Sequence, residues 1–206
     1  MISKQQATEN NIIAVGIRMI NEKGFSAVKI ESICKAAGIG RSTFYHYFNG
    51  KEELVDAYFR SIVSYSPARM AWIFSTPHPA IRILRTHLSL LSDITNCQTV
   101  GIYSLQLKFF LNESGESNLY SADEFRNLLI PNIREAQEKG EILNLSDPEE
   151  LCNSAITMHW GNIYLWCVSN GAFNRRERLR SNLENLYNVK TELRSLDELE
   201  ECPSGD

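Results

Sequence analysis

Apolar residues recur along most of this chain at intervals of three and four, the spacing that lines one face of an α-helix. Ile13, Ile17 and Ile20 mark a first helix from about Thr8 to Glu22, closed by Gly24, while the polar residues before it are expected to fray. Ile30, Ile33, Cys34 and Ala37 mark a second, stopped at Gly38. Ile39 and Gly40 alone separate it from a third, Arg41 to Phe48, with Phe44 and Phe48 four apart on one side. Asn49, three residues before Glu52, gives a capping-box-like start to a long fourth helix. Leu54, Val55, Tyr58, Phe59, Ile62 and Val63 carry it toward Tyr65, with Pro67 placed to break it.

The remaining pattern is also helical. Apolar stripes run from Ile81 to Ile94 and from Val100 to Leu111, and a polar loop follows at Asn112 to Asn118. Ser121 with Glu124 predicts a capped helix that passes through Pro131, with a kink, and ends at Gly140. Ser146-Asp147-Pro148-Glu149-Glu150 predicts a helix start, because carboxylates and an N-terminal proline suit the positive end of the dipole. That helix, running to about Ser169, is apolar nearly all round and must be covered on several sides. Asn174 to Leu193 reads as one last helix, and Ser195 to Asp206 as a disordered acidic tail. The pattern holds no strand signal and no repeat. An all-α chain is therefore expected.

The two short helices joined at Gly38 form a helix-turn-helix, whose second helix can enter the major groove of DNA. Its outward face carries Arg41, Ser42, Thr43, Tyr45, His46 and Tyr47. Arginine can bind guanine through two hydrogen bonds, while the hydroxyls reach base edges or phosphates. Lys29 and Lys51 flank that face and suit phosphate oxygens. Glu31 lies near the same surface and would repel phosphate unless it accepts from a cytosine amine or pairs with a neighbouring lysine.

The run Ala36-Ala37-Gly38-Ile39-Gly40-Arg41-Ser42-Thr43-Phe44-Tyr45-His46-Tyr47-Phe48, followed by Lys51-Glu52-Glu53-Leu54, resembles the DNA-binding domain of the TetR/AcrR family of transcriptional regulators. The resemblance covers residues 8 to 60. It departs from the family pattern at Val28 and Lys29, where a hydroxyl cap is usual, and at Gly40, which replaces a frequent serine. It implies a three-helix DNA-binding domain at residues 1–50 and a helical regulatory and dimerisation domain at 51–194. The tail would be 195–206. It further implies a homodimer joined through the last two long helices, a double-stranded operator and a small-molecule effector. Trp72, His87, Tyr103, Gln106, Phe110, His159, Asn162 and Trp166 mix aromatic and polar groups as a ligand pocket does, and equally as a core or dimer interface does. The reading to which these features lead is a repressor released by its ligand. The alternative is a helical sensor acting through protein contacts or as an activator.

Composition narrows this picture. The net charge of −4 argues against a nucleic-acid partner until it is divided along the chain. Residues 1–50 hold six basic and three acidic side chains, a net of +3, which leaves −7 for the rest. A basic head on an acidic body is the asymmetry expected when only the head meets phosphate. Five dispersed cysteines without a C-x-x-C pair fit reduced, mostly buried thiols and suggest no metal site. No catalytic motif, cofactor loop, signal peptide or membrane span is apparent, so a cytoplasmic protein without enzymatic activity is expected.

Overall fold

The computed structural model describes residues 3–63, 66–91, 99–112 and 122–194. The described residues are helical apart from turns and one isolated bridge. They fall into two compact units, Met1–Ser64 with Thr95–Ser117, and Tyr65–Ile94 with Asn118–Asp206.

In the first unit, α1 spans Lys4–Lys23. It starts earlier than its apolar stripe because the Ser3 hydroxyl accepts from the Gln6 amide and caps it. The polar turns expected to fray are held further by Asn11, whose amide donates to the Ala37 carbonyl. Gly24, at φ +82°, ends the helix in a conformation that a side chain would disfavour. Next come α2 (Ile30–Ala37), α3 (Arg41–Tyr47) and α4 (Lys51–Val63). Ile12, Ile17, Ile33, Phe44 and Leu54 are wholly buried together with Phe48, so the stripes read from sequence converge on one small core. Gly16 lets α1 and α4 approach, since a Cβ there would lie 2.8 Å from a methyl of Leu54. Asn49 stands one residue ahead of the cap of α4 rather than at it, and Glu53, not Glu52, reaches back, at 2.7 Å from the Asn49 amide. Gly50 is the true cap, which puts Glu53 on the third helical position. The unit is completed by α7 (Val100–Asn112), whose Tyr103 ring packs 5.5 Å from that of Phe59.

In the second unit Pro67 lies beyond the end of α4 at Val63. It opens α5 (Pro67–Phe74), a helix the apolar pattern does not announce, behind a Ser66 cap. Then follow α6 (Pro79–Ser89), α8 (Ala122–Glu138), α9 (Pro148–Val168), α10 (Arg175–Leu186) and the short α11 (Thr191–Arg194). All of α6 except Arg82 is buried, which makes it the centre of this unit. Asp147 caps α9 through the Glu149 and Glu150 amides, as its sequence predicts. The expected single last helix is cut after Leu186. Asn188 turns at φ +49°, and Val189 pairs with Ile142 in an antiparallel bridge, flanked by Leu143 N–H to Asn188 O at 3.0 Å. Although α9 is apolar nearly all round, Tyr164, Leu165 and Val168 are half to two-thirds exposed. Ser121 of the proposed capping box, the loop at 113–118, Ile94 and the tail lie outside the described residues.

The core of this unit contains two histidines. His87 on α6 is fully buried, edge-on to Phe125, with its Nε2 3.5 Å from the Tyr187 hydroxyl. Its ring lies 6.4 Å from that of His159 on α9. Burial disfavours the charged forms, holding His87 at a pKa of about 3 and His159 well below its ordinary value. The unfolded chain titrates near 6.5, so below that pH it binds protons that the folded chain excludes. Stability is thus complete above about pH 6.5 and falls as pH drops toward 3, by roughly 1.4 kcal/mol per pH unit for His87, with His159 acting in the same direction. Urea midpoints measured from pH 7.5 to 5 are expected to fall, and His87→Leu to remove its share of that pH dependence.

Candidate nucleic-acid interface

Gly38 takes the left-handed conformation at φ +70°, which ends α2 and turns the chain directly into α3. Phe44 and Phe48 then point inward with ring centroids 5.8 Å apart, fixing the rotation of α3 about its axis. That rotation leaves Arg41, Ser42, Tyr45 and His46 exposed on one side, with Thr43 and Tyr47 half-covered at its margin. The face predicted from sequence is therefore assembled as one surface.

Within it, Arg41 forms an ion pair with Glu31, Nη1 to Oε1 at 3.0 Å. Its guanidinium also stands 5.9 Å from the centre of the Tyr45 ring. Glu31 thus pairs with an arginine across the turn, a contact between helices that the separate stripes do not announce. Both partners are more than half exposed, so the pair adds little stability and serves mainly to position the guanidinium. Lys29 sits exposed at the start of α2, whose first amides receive no side-chain cap. The Gly40 cap likewise leaves the first amides of α3 without a side-chain acceptor. The Tyr47 hydroxyl donates to the Gln5 carbonyl at 3.4 Å, bracing α3 on α1.

Lys51 is placed differently from the others. Its Nζ donates to the carbonyls of Phe25 at 2.5 Å and Val28 at 2.6 Å, and lies 4.4 Å from the centre of the Phe25 ring. Two of its three N–H groups are therefore turned inward, tying the start of α4 to the turn before α2. A lysine opening a helix gives no sequence signal for this.

The eight pocket candidates come from both units. Tyr103 and Gln106 belong to α7 in the first unit, and the side chain of Phe110 lies outside the described residues. Trp72, His87, His159, Asn162 and Trp166 belong to the second unit. There the His87 and His159 rings are in contact, while Trp72 and Trp166 stack on Arg85 and Arg175. Asn162 donates to the Arg175 carbonyl at 2.9 Å. Its Oδ1 and the His87 Nδ1 are buried without a hydrogen-bond partner among the described residues. Cys34 and Cys152 are buried thiols whose pKa values burial pushes up, and Cys167 is half-buried. Among the described residues no cluster could hold a metal ion, and no helix is long and apolar enough to cross a membrane.

Comparison with known proteins agrees with this geometry. Residues 12–58 match the profile of bacterial regulatory proteins of the tetR family. The HTH-type transcriptional regulator UidR of Escherichia coli K12 is 26% identical over 149 residues, spanning 69% of this chain and 72% of that protein. Among solved structures, reduced E. coli NemR superposes with a TM-score of 0.61 at 18% identity, over 89% of this chain and 99% of that one. AibR, solved with isovaleryl coenzyme A and operator DNA, superposes at 0.53 and 17% identity, over 89% and 100%. The two structural likenesses establish a shared fold.

The Lys51 clamp carries a direct expectation. Lys51→Met keeps the aliphatic stem but leaves two carbonyls without their charged donor, a loss of about 2 kcal/mol. The urea midpoint should fall accordingly; an unchanged midpoint would remove the clamp from the account.

Proposed function

The chain is a transcriptional regulator of the TetR/AcrR family, and we propose that it acts as a homodimeric repressor, holding a palindromic operator until a small molecule releases it. The exposed face of α3 carries this reading. Arg41, held by Glu31 against Tyr45, presents the remaining edge of its fork to guanine in the major groove. Ser42, Thr43 and His46 line the same groove, while Lys29 and the third N–H of Lys51 take phosphates and fix register; Tyr47, expected beside them, has its one O–H on the Gln5 carbonyl and braces α3 instead. The open amides at the start of α2 add to the phosphate contact near Lys29.

Residues 1–50 form the DNA-binding domain in this reading, and 51–194 the regulatory and dimerisation domain. The uncovered Tyr164, Leu165 and Val168 of α9 give a second copy an apolar strip to bury. Two heads in one dimer then read half-sites about one helical turn apart or somewhat more. His87, His159 and Asn162 provide polar anchors for the effector within the body, two of them with an unused hydrogen-bonding atom. AibR, which has this fold, was solved with a coenzyme A ester and its operator together. Release requires the effector to bind one head spacing more tightly than the other.

Arg41→Ala and Tyr45→Ala test the surface. On DNA selected from a random pool, each is expected to weaken specific binding by roughly tenfold or more, the worth of one good base contact. Sedimentation should show the dimer unchanged. Full affinity in both variants would mean that another face meets DNA.

A further inference from the structure

The first unit holds a cavity separate from the polar core of the second. It opens between the end of α1 and the start of α7, with a volume of about 640 Å³. Ile20, Asn21 and Phe25 form one wall, and Thr99, Val100 and Leu105 the other. The Thr99 hydroxyl donates to the Asn21 side-chain oxygen, placing one polar pair at an otherwise apolar site. None of the lining residues is ionisable.

We propose that this cavity binds a small uncharged ring compound, aromatic or alicyclic, that bears one hydrogen-bonding group, and that its occupancy is felt by the DNA-reading helices. The class follows from the walls. The volume lies within the range of small-molecule sites. A charged ligand would leave its charge against apolar walls without a partner, whereas a neutral ring buries apolar surface on Ile20, Val100 and Leu105. One hydroxyl or N–H can join the Asn21 and Thr99 pair.

The link to the head is Phe25. One side of its ring environment is the cavity, and another is the Lys51 ammonium 4.4 Å from the ring centre. The same ammonium holds the Phe25 and Val28 carbonyls just before α2. A ring seated against Phe25 therefore bears on the residue that fastens α4 to the entry of the helix-turn-helix. Val28, itself buried beyond the cavity, reports any movement of that fastening.

Indole, a neutral ring with one N–H, is a suitable probe on the full-length protein without DNA, followed by methyl resonances. Saturable shifts are expected at Ile20, Val100 and Leu105, with Val28 shifting at the same midpoint. Gly101 lies on the cavity wall, and a Cβ there would meet only the Thr99 hydroxyl at 3.8 Å. Gly101→Leu therefore fills the cavity without forcing the backbone, and should weaken indole at least tenfold. Ser104→Leu, which places the same side chain at an exposed position of α7, should leave affinity unchanged. Absence of saturable binding to the unmodified chain, or equal affinity in Gly101→Leu, would overturn the site. Shifts confined to the lining, with Val28 still, would overturn its coupling to the head. Because no operator is involved, either failure leaves the repressor reading standing.

Discussion

The head depends on one half-buried attachment, the Lys51 ammonium held between two carbonyls and the face of Phe25. A helix-turn-helix of two short helices has little surface of its own to bury, and helices of seven or eight residues are marginal alone. Their orientation must come from α1 and α4. Gly16 brings those two helices together over Leu54, and Lys51 fastens the near end of α4 to the chain entering α2. Phe44 and Phe48 then lock α3 onto the resulting core, which decides which side chains face outward.

That outward face shows how a reading surface can exist on a chain of net negative charge. The positive side chains are few, and one of them, Arg41, is already paired with Glu31 in the free protein. The pair removes some general attraction for phosphate. In exchange it narrows the positions open to the guanidinium, so less ordering remains for the moment of binding. Such a head relies on placed contacts more than on bulk charge.

Much of this was legible because helices repeat their burial at a short, regular interval. The stripe at Ile13, Ile17 and Ile20 is buried in α1, together with Ile12, Val15 and Gly16 that it does not contain, and Phe44 of α3 is buried with Phe48 at its cap. The all-α fold and the TetR/AcrR kinship followed from such stripes and from the motif around Gly38. What escaped depended on contacts distant in sequence or on local caps. Ser3 extended α1 through polar residues, and Pro67 began a helix where proline is more readily taken as an end. Pairing between Val189 and Ile142 ended α10 within a stripe that runs on to Leu193. Lys51 was read as a phosphate contact, although most of its hydrogen bonding is internal, because spacing along a helix does not report a partner 26 residues away. The pocket candidates belong to both units for the same reason: composition gathers residues by type and does not say which unit each helix joins.

The central claim is that this face reads a particular sequence. Its most direct measurement is fluorescence anisotropy of the full-length protein with labelled DNA from upstream of its own gene, against unlabelled unrelated DNA over several salt concentrations. Preference for the upstream DNA by about a thousandfold or more, with affinity falling as salt rises, is the predicted result. Equal affinity for the two DNAs at every salt concentration would contradict it.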